Sequence, residues 1–162
     1  MKSKLIYPAV IIFSFLISCK SEKAKKYSDL IVQKQSAIET DIAQATKKLQ
    51  SYFISDETDS IVSLSEKMED QINSVISDIQ KTKAPKLKEA ENFKQESLKY
   101  LEYRKDLFTI YKNYGLQTSV DGREMERKNM VAVQSLENIM NYNLEVAQKN
   151  FAKANHVKIK QN

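Results

Sequence analysis

SIVSLSEKMEDQINSVISDIQKTK, residues 60–83, places apolar or small side chains at Ile61, Ser65, Met68, Ile72, Val75 and Ile79. Steps of four and three residues alternate along that set, the spacing at which side chains line one face of a helix packed on a partner. Val62, Leu64 and Ile76 widen the stripe. Lys81 and Lys83 suit the negative end of the helix dipole, and Pro85 stops the run because it has no N–H to continue the ladder. The spacing predicts a helix over 60–83, and such a stripe needs other helices to cover it.

Outward from this segment the same period recurs. Ser55-Asp-Glu-Thr-Asp-Ser60 breaks the pattern on the N-terminal side, with Thr58 or Asp59 suited to cap the next helix. Before that break, Tyr27, Ile31, Ile38, Ile42, Ala45, Leu49 and Tyr52 predict a helix over about 21–53, with Gln35 interrupting its seam. After it, Pro85 suits the first turn of a third helix reaching Tyr114. The apolar set of that helix, with Phe93, Tyr100, Phe108, Tyr111 and Tyr114 in it, is wide enough to face two neighbours. Gly115 suits a left-handed position closing the helix. A fourth helix is expected over about 122–156, with its seam through Met125, Asn129, Val133, Leu136, Met140, Leu144, Ala147, Phe151 and Ala154. Residues 19–162 hold two glycines and one proline, too few turn formers for a many-stranded β fold. The expected architecture is all-α, an up-down-up-down four-helix bundle over 27–157.

Residues 1–18 are of another kind. Lys2 and Lys4 precede an uncharged run from Leu5 to Ser18, too short for a comfortable membrane span and typical of a signal-peptide core. Leu16-Ile17-Ser18-Cys19 resembles the lipobox of bacterial lipoproteins, in which the cysteine thiol is acylated, by palmitate or a similar chain, and becomes the first mature residue. The resemblance implies a signal peptide over 1–18, a lipidated Cys19 with a tether to Lys26, and membrane attachment through Cys19. With one cysteine, the chain has no intramolecular disulfide. Residues 158–162 read as a short basic tail.

Charge and motifs narrow the chemistry. Beyond the signal peptide, 24 basic side chains face 21 acidic ones, a mild excess with mixed signs along the chain rather than a nucleic-acid stripe. His156 is the only histidine, so paired Glu-x-x-His di-iron motifs are excluded. Its place near a helix C-terminus fits a solvated side chain better than a haem ligand or a triad base. Two glycines make no phosphate loop. Glu66, Glu69 and Asp70, and Asp121 with Glu124 and Glu126, read as solvated faces and dipole partners rather than metal ligands. No cofactor and no enzymatic activity are expected. Asp59-Ser60-Ile61 matches a short glycosylation pattern of some exported bacterial proteins, although capping also explains Asp59. Tyr100, Tyr103, Tyr111 and Tyr114 cluster on the third helix. They fit core rings with hydroxyls at the edge, or a patch for a protein partner.

Tyr27-Ser-Asp-Leu-Ile-Val-Gln-Lys-Gln35, Lys83-Ala-Pro-Lys-Leu87 and the stretch Phe93…Leu98-Lys-Tyr-Leu101…Tyr111-Lys-Asn-Tyr114 together resemble a family of bacterial surface lipoproteins of unknown function, first noted in Leptospira and common in Bacteroidetes. The resemblance implies a helical bundle in the cell envelope, at the outer rather than the inner membrane, and carries no active-site residue. The expected function is that of a lipid-anchored interaction or structural module with an envelope protein as partner. The alternative is a binder of a small apolar ligand in the bundle interior, around Phe93, Phe108, Leu136 and Met140.

Overall fold

The computed structural model describes residues 7–158, with side chains over 20–158. Residues 1–18, read from the sequence as a signal peptide, the side chain of Cys19 and the tail after Lys158 lie outside the described side chains. Five helices follow in order: α1 (Tyr7–Ser55), α2 (Thr58–Lys81), α3 (Ala90–Leu116), α4 (Val120–Gln134) and α5 (Glu137–Ala154). Among the described residues there is no strand, and with α4 and α5 joined end to end the helices form an all-α four-helix bundle.

Helix α3 is the hub. It packs most extensively on α2 and also on α4 and α5, while α1 lies against α2 and touches α3 and α5. Its buried stripe therefore runs wide, including Phe93, Ser97, Leu101, Phe108 and Tyr114. The α1 seam is buried from Ala24 through Tyr27, Ile31, Ile38, Ile42 and Ala45 to Leu49. Gln35 keeps its place in that seam, buried, with its Nε2 lacking a hydrogen-bond partner. On α2, Ile61, Ser65, Met68, Ile72 and Ile79 are buried as their spacing predicts, whereas Val75 of the same seam is only half-buried and Ile76 of the widened stripe is buried in its place.

The stretch read as a tether is ordered helix. Ala24 is fully buried, and Ser21 Oγ donates to the carbonyl of His156 at 3.1 Å. The α1 register simply continues toward the N-terminus, so no flexible spacer separates residue 20 from the bundle.

The turns are made almost without glycine. Asp56 takes a left-handed conformation at φ 54°, and the Glu57 N–H reaches back to the Tyr52 carbonyl at 3.0 Å, closing α1 in a Schellman motif. The α2 helix then starts at Thr58 with Glu57 before it, one or two residues earlier than the capping candidates suggested. His156 repeats the device after α5, at φ 56°, with the Val157 N–H bonded to the Ala152 carbonyl at 2.9 Å. Gly115, in contrast, lies inside α3 with no positive φ. Its role is close approach: a Cβ there would stand 2.7 Å from Val62 Cγ2 and 2.9 Å from the Thr58 carbonyl oxygen.

Two further boundaries differ from expectation. The third helix begins at Ala90 rather than Pro85, because residues 82–89 form an irregular link that ends with Glu89 in the left-handed region. Ala84 and Leu87 of this link pack on the core, and its Lys88 carbonyl accepts from Asn155 Nδ2 at 2.8 Å. The fourth helix is interrupted at Ser135–Leu136. There Ser135 Oγ donates to the Ala132 carbonyl (2.6 Å) and the Leu136 N–H to that of Val133 (3.0 Å), a tighter closure than the α ladder. The interruption breaks the expected seam: Met125 and Leu136 are exposed, and Met130 is the buried residue of α4.

Two substitutions test this backbone accounting. Gly115→Ala gains roughly 1 kcal/mol of helix propensity but must displace a backbone carbonyl, an overpacking cost of ~1–3 kcal/mol. A net loss in urea unfolding is expected, and a stabilised variant would refute the close approach. His156→Gly relieves a left-handed side-chain penalty of ~1–2 kcal/mol in part, so its unfolding midpoint is expected to rise.

Candidate functional site

Three features could carry function: a polar node at mid-bundle, an aromatic region with a cleft near the far end, and the far end itself. At the node, Arg104 Nη2 donates to Glu39 Oε2 at 2.8 Å and Nη1 reaches Glu137 Oε1 at 3.4 Å. Tyr100 Oη donates to the other oxygen of Glu39 at 3.0 Å, and the guanidinium lies 5.6 Å from the Tyr100 ring centroid. These residues tie α3 to α1 and α5. Burial opposes the charge of Arg104, but the Glu39 hydrogen bond and the neighbouring acidic groups outweigh it and hold its pKa above the usual value. Burial also pushes the Tyr100 phenol well up, with Arg104 opposing and Glu39 adding to the rise. Tyr103, beside them, is raised by burial and by Glu137. Arg104 is near enough to oppose that rise, although the Tyr103 hydroxyl makes no hydrogen bond of normal geometry. The node reads as a clasp: every charge in it is already engaged by another helix.

A second clasp joins α2 to α3, where Glu69 accepts from both Thr109 and Lys112. One of the carboxylates singled out by sequence is thereby committed to packing. Among the described residues no group of three His, Cys, Asp or Glu side chains could hold a metal ion.

Nearer the α1–α2 turn, Phe53 packs edge-on against Tyr111 and Tyr114, with centroids 5.7 and 5.0 Å apart. Arg127 donates to Tyr114 Oη at 3.0 Å and Gln134 to Tyr111 Oη at 3.2 Å. Arg123 and Arg127 both lie over the Tyr114 ring, at 5.7 and 5.4 Å from its centroid. Since α4 leans on α3 and not closely on α1, a cleft of about 290 Å³ opens between α1 and α4. Leu49, Phe53, Tyr111 and Met130 supply its apolar lining, and Thr46, Gln50, Arg127 and Gln134 its polar one.

The four tyrosines of the sequence reading are thus placed: Tyr100, Tyr103, Tyr111 and Tyr114 are all buried. Their rings are core, and three of the hydroxyls are taken up by Glu39, Gln134 and Arg127, so they form no exposed patch. Phe93, proposed to line an interior cavity, instead stacks on Phe151 at 5.6 Å, and Leu136 of the same set is exposed. Ser60 lies in the first turn of α2, its hydroxyl donating to Glu57 at 3.2 Å. His156 is exposed.

The feature that periodicity did not reveal is the far end of the bundle, where α1 meets α2 and α3 meets α4. Ile54 is 89% exposed, Val120 84%, Met125 64% and Leu116 59%. Asp56 holds this end together by accepting from Arg123 Nη1 at 3.0 Å. Apolar residues inside predicted turns were the only available signal, and turn signals are read for backbone geometry rather than for apolar content.

Among the described residues no helix is long and apolar enough to cross a membrane. No protein-family model, no curated protein and no solved structure matches this chain.

The buried phenols set an alkaline limit on the fold. Tyr27, whose hydroxyl donates to the Ala90 carbonyl, is pushed up to about 12 by burial and then by Glu91. A pKa raised in the folded state means that the native chain holds this proton longer than the unfolded chain, whose phenol ionises near 10. The contribution is complete below pH 10 and is lost as pH rises through about 12. Tyrosinate absorbance should show a late-ionising component that Tyr27→Phe, Tyr100→Phe and Tyr103→Phe each diminish, with stability to urea falling across that window. No loss of the late component in any of the three variants would refute the assignment.

Proposed function

We propose that this chain is a lipid-anchored protein of the bacterial cell envelope, acting as an interaction or structural module and not as an enzyme. Cys19 carries the acyl chains, residues 1–18 serve as the signal peptide, and the outer membrane is the expected site. The resemblance of Tyr27–Gln35, Lys83–Leu87 and Phe93–Tyr114 to surface lipoproteins supports that location. The observation that carries the module reading is the difference between the two ends of the bundle. The acylation site adjoins the end where residue 20 enters, and the exposed Ile54, Leu116 and Val120 occupy the opposite end. The 24 residues of α2 separate these ends by about 36 Å at ~1.5 Å per residue. An apolar end held that far from the anchor suits a protein partner, since exposed apolar clusters mark interaction surfaces.

A small apolar ligand is the second reading, favoured by the cleft between α1 and α4. Its volume, about 290 Å³, stands at the lower edge of ligand pockets of ~300–1,000 Å³, and Arg127 and Gln134 already bond the tyrosines beside it.

Labelling with a fatty-acid analogue should mark the wild-type chain and not Cys19→Ala, and the variant should leave the membrane fraction. A photo-crosslinking residue at Val120 should capture a discrete envelope protein, and the adduct should disappear with Ile54→Asp and Leu116→Asp. An adduct pattern identical to that from a position on the exposed face of α2, such as Lys67, would refute the end-on module.

A further inference from the structure

The end of the bundle opposite Ile54 and Val120 concentrates the chain's net positive charge. Three segments meet there: 20–26 of α1, 81–89 from the last residue of α2 through the link, and 153–158 at the end of α5. Ser21 bonds the His156 carbonyl, Asn155 bonds the Lys88 carbonyl, and the Tyr27 ring packs on Phe93 and Phe151. These segments carry ten lysines and two carboxylates, those of Glu22 and Glu89. The remainder of residues 19–162 carries 14 basic and 19 acidic side chains, so the bundle is polarised along its axis.

The link shows how the charge is presented. Along 81–88 the exposed residues are Lys81, Lys83, Lys86 and Lys88, while Ala84 and Leu87 pack inward on the core. Among the described residues no carboxylate pairs with Lys83, Lys86 or Lys88. Lysines held side by side without counter-charges repel one another, an arrangement that an external anionic surface relieves.

We infer that this basic end is a docking surface for an anionic lipid bilayer, on which the bundle stands upright with its apolar end directed away. The inference rests on the anchoring reading for its geometry. Because residues 20–26 are already helix and Ala24 is buried, acyl chains at Cys19 bring the end directly onto the headgroups, with no spacer between. A flat, phosphate-rich surface matches three lysine segments spread over a whole bundle end better than a single acidic peptide does. Each lysine near such a surface strengthens binding about fivefold, and the effect fades within a Debye length.

The test uses the full chain and flotation with phosphatidylcholine vesicles, with and without an equal part of phosphatidylglycerol. Binding to the anionic vesicles should exceed binding to the neutral ones by at least about tenfold at low ionic strength, and the excess should vanish at high salt. Lys83→Gln, Lys86→Gln and Lys88→Gln together should remove most of the excess. The control triple Lys47→Gln, Lys48→Gln and Lys67→Gln, with the same change in net charge, should retain it, and circular dichroism should show both variants equally helical. Cys19→Ala separates the two readings: loss of acylation weakens binding to neutral vesicles and leaves the anionic excess in place. An unchanged neutral baseline in Cys19→Ala would count against the anchor alone. Absence of an anionic excess, an equal loss in both triple variants, or competition by soluble polyglutamate at lower charge concentration than vesicles would overturn the lipid surface.

Discussion

Helix α3 must satisfy α2 on one flank and α4 with α5 on the other, and most features of this bundle follow from that demand. A helix buried on both flanks needs large side chains around much of its circumference. Here Phe93, Tyr100, Leu101, Phe108, Tyr111 and Tyr114 supply them. Tyrosine is well suited because its ring fills the interior while its hydroxyl reaches a partner at the margin. Tyr100 finds Glu39 of α1, Tyr111 finds Gln134 of α4, and Tyr114 finds Arg127 of α4. The same rings that fill the core thus set which helix face meets which.

The partly buried polar contacts align the helices. Arg104 with Glu39 and Glu137, and Glu69 with Thr109 and Lys112, each bridge different helices from partly buried positions. Replacing one member would leave a poorly solvated charge behind, so such pairs specify register more than they add stability. Gln35 and Ser65 are of another sort, buried polar atoms without protein partners inside otherwise apolar seams. They weaken the seams locally and make a slipped helix register costlier, because a slip would bury further polar groups.

The two ends of the bundle have opposite characters, which the proposed role requires. One end carries the lysines of three chain segments and adjoins Cys19, and the other carries Ile54, Leu116 and Val120 in the open. Between them the sides carry ion pairs such as Lys34–Asp78 and Lys149–Glu145, and also exposed apolar residues such as Val131, Ile139 and Tyr142 along α4 and α5. A molecule so polarised along its axis is suited to bridge a charged surface and an apolar partner. The α1–α4 cleft is a departure from close packing at a place where Met130 is the buried residue of α4.

Much of this was legible in the chain itself. Three- and four-residue steps placed the buried seams of α1 and α2 almost residue by residue, because a helix that buries one face repeats its apolar side chains at the helical period. The scarcity of glycine and proline excluded the β alternatives. What local pattern could not supply was set by contact between distant segments. Ala24 makes residues 20–26 helix rather than linker only because α1 has other helices to pack against at that end. Gly115 is needed for the approach of Val62 and Thr58, not for a left-handed turn, and Asp56 and His156 take the left-handed places instead. The register of α4 changed because Ser135 turned back on Ala132 and the helix leaned on α3 alone. The tyrosines kept their helix but not their exposure, since periodicity shows which residues share a face and only the packed neighbours show whether water reaches it. The gathering of three lysine segments at one end and of Ile54, Leu116 and Val120 at the other is likewise tertiary, because antiparallel helices bring together residues far apart along the chain.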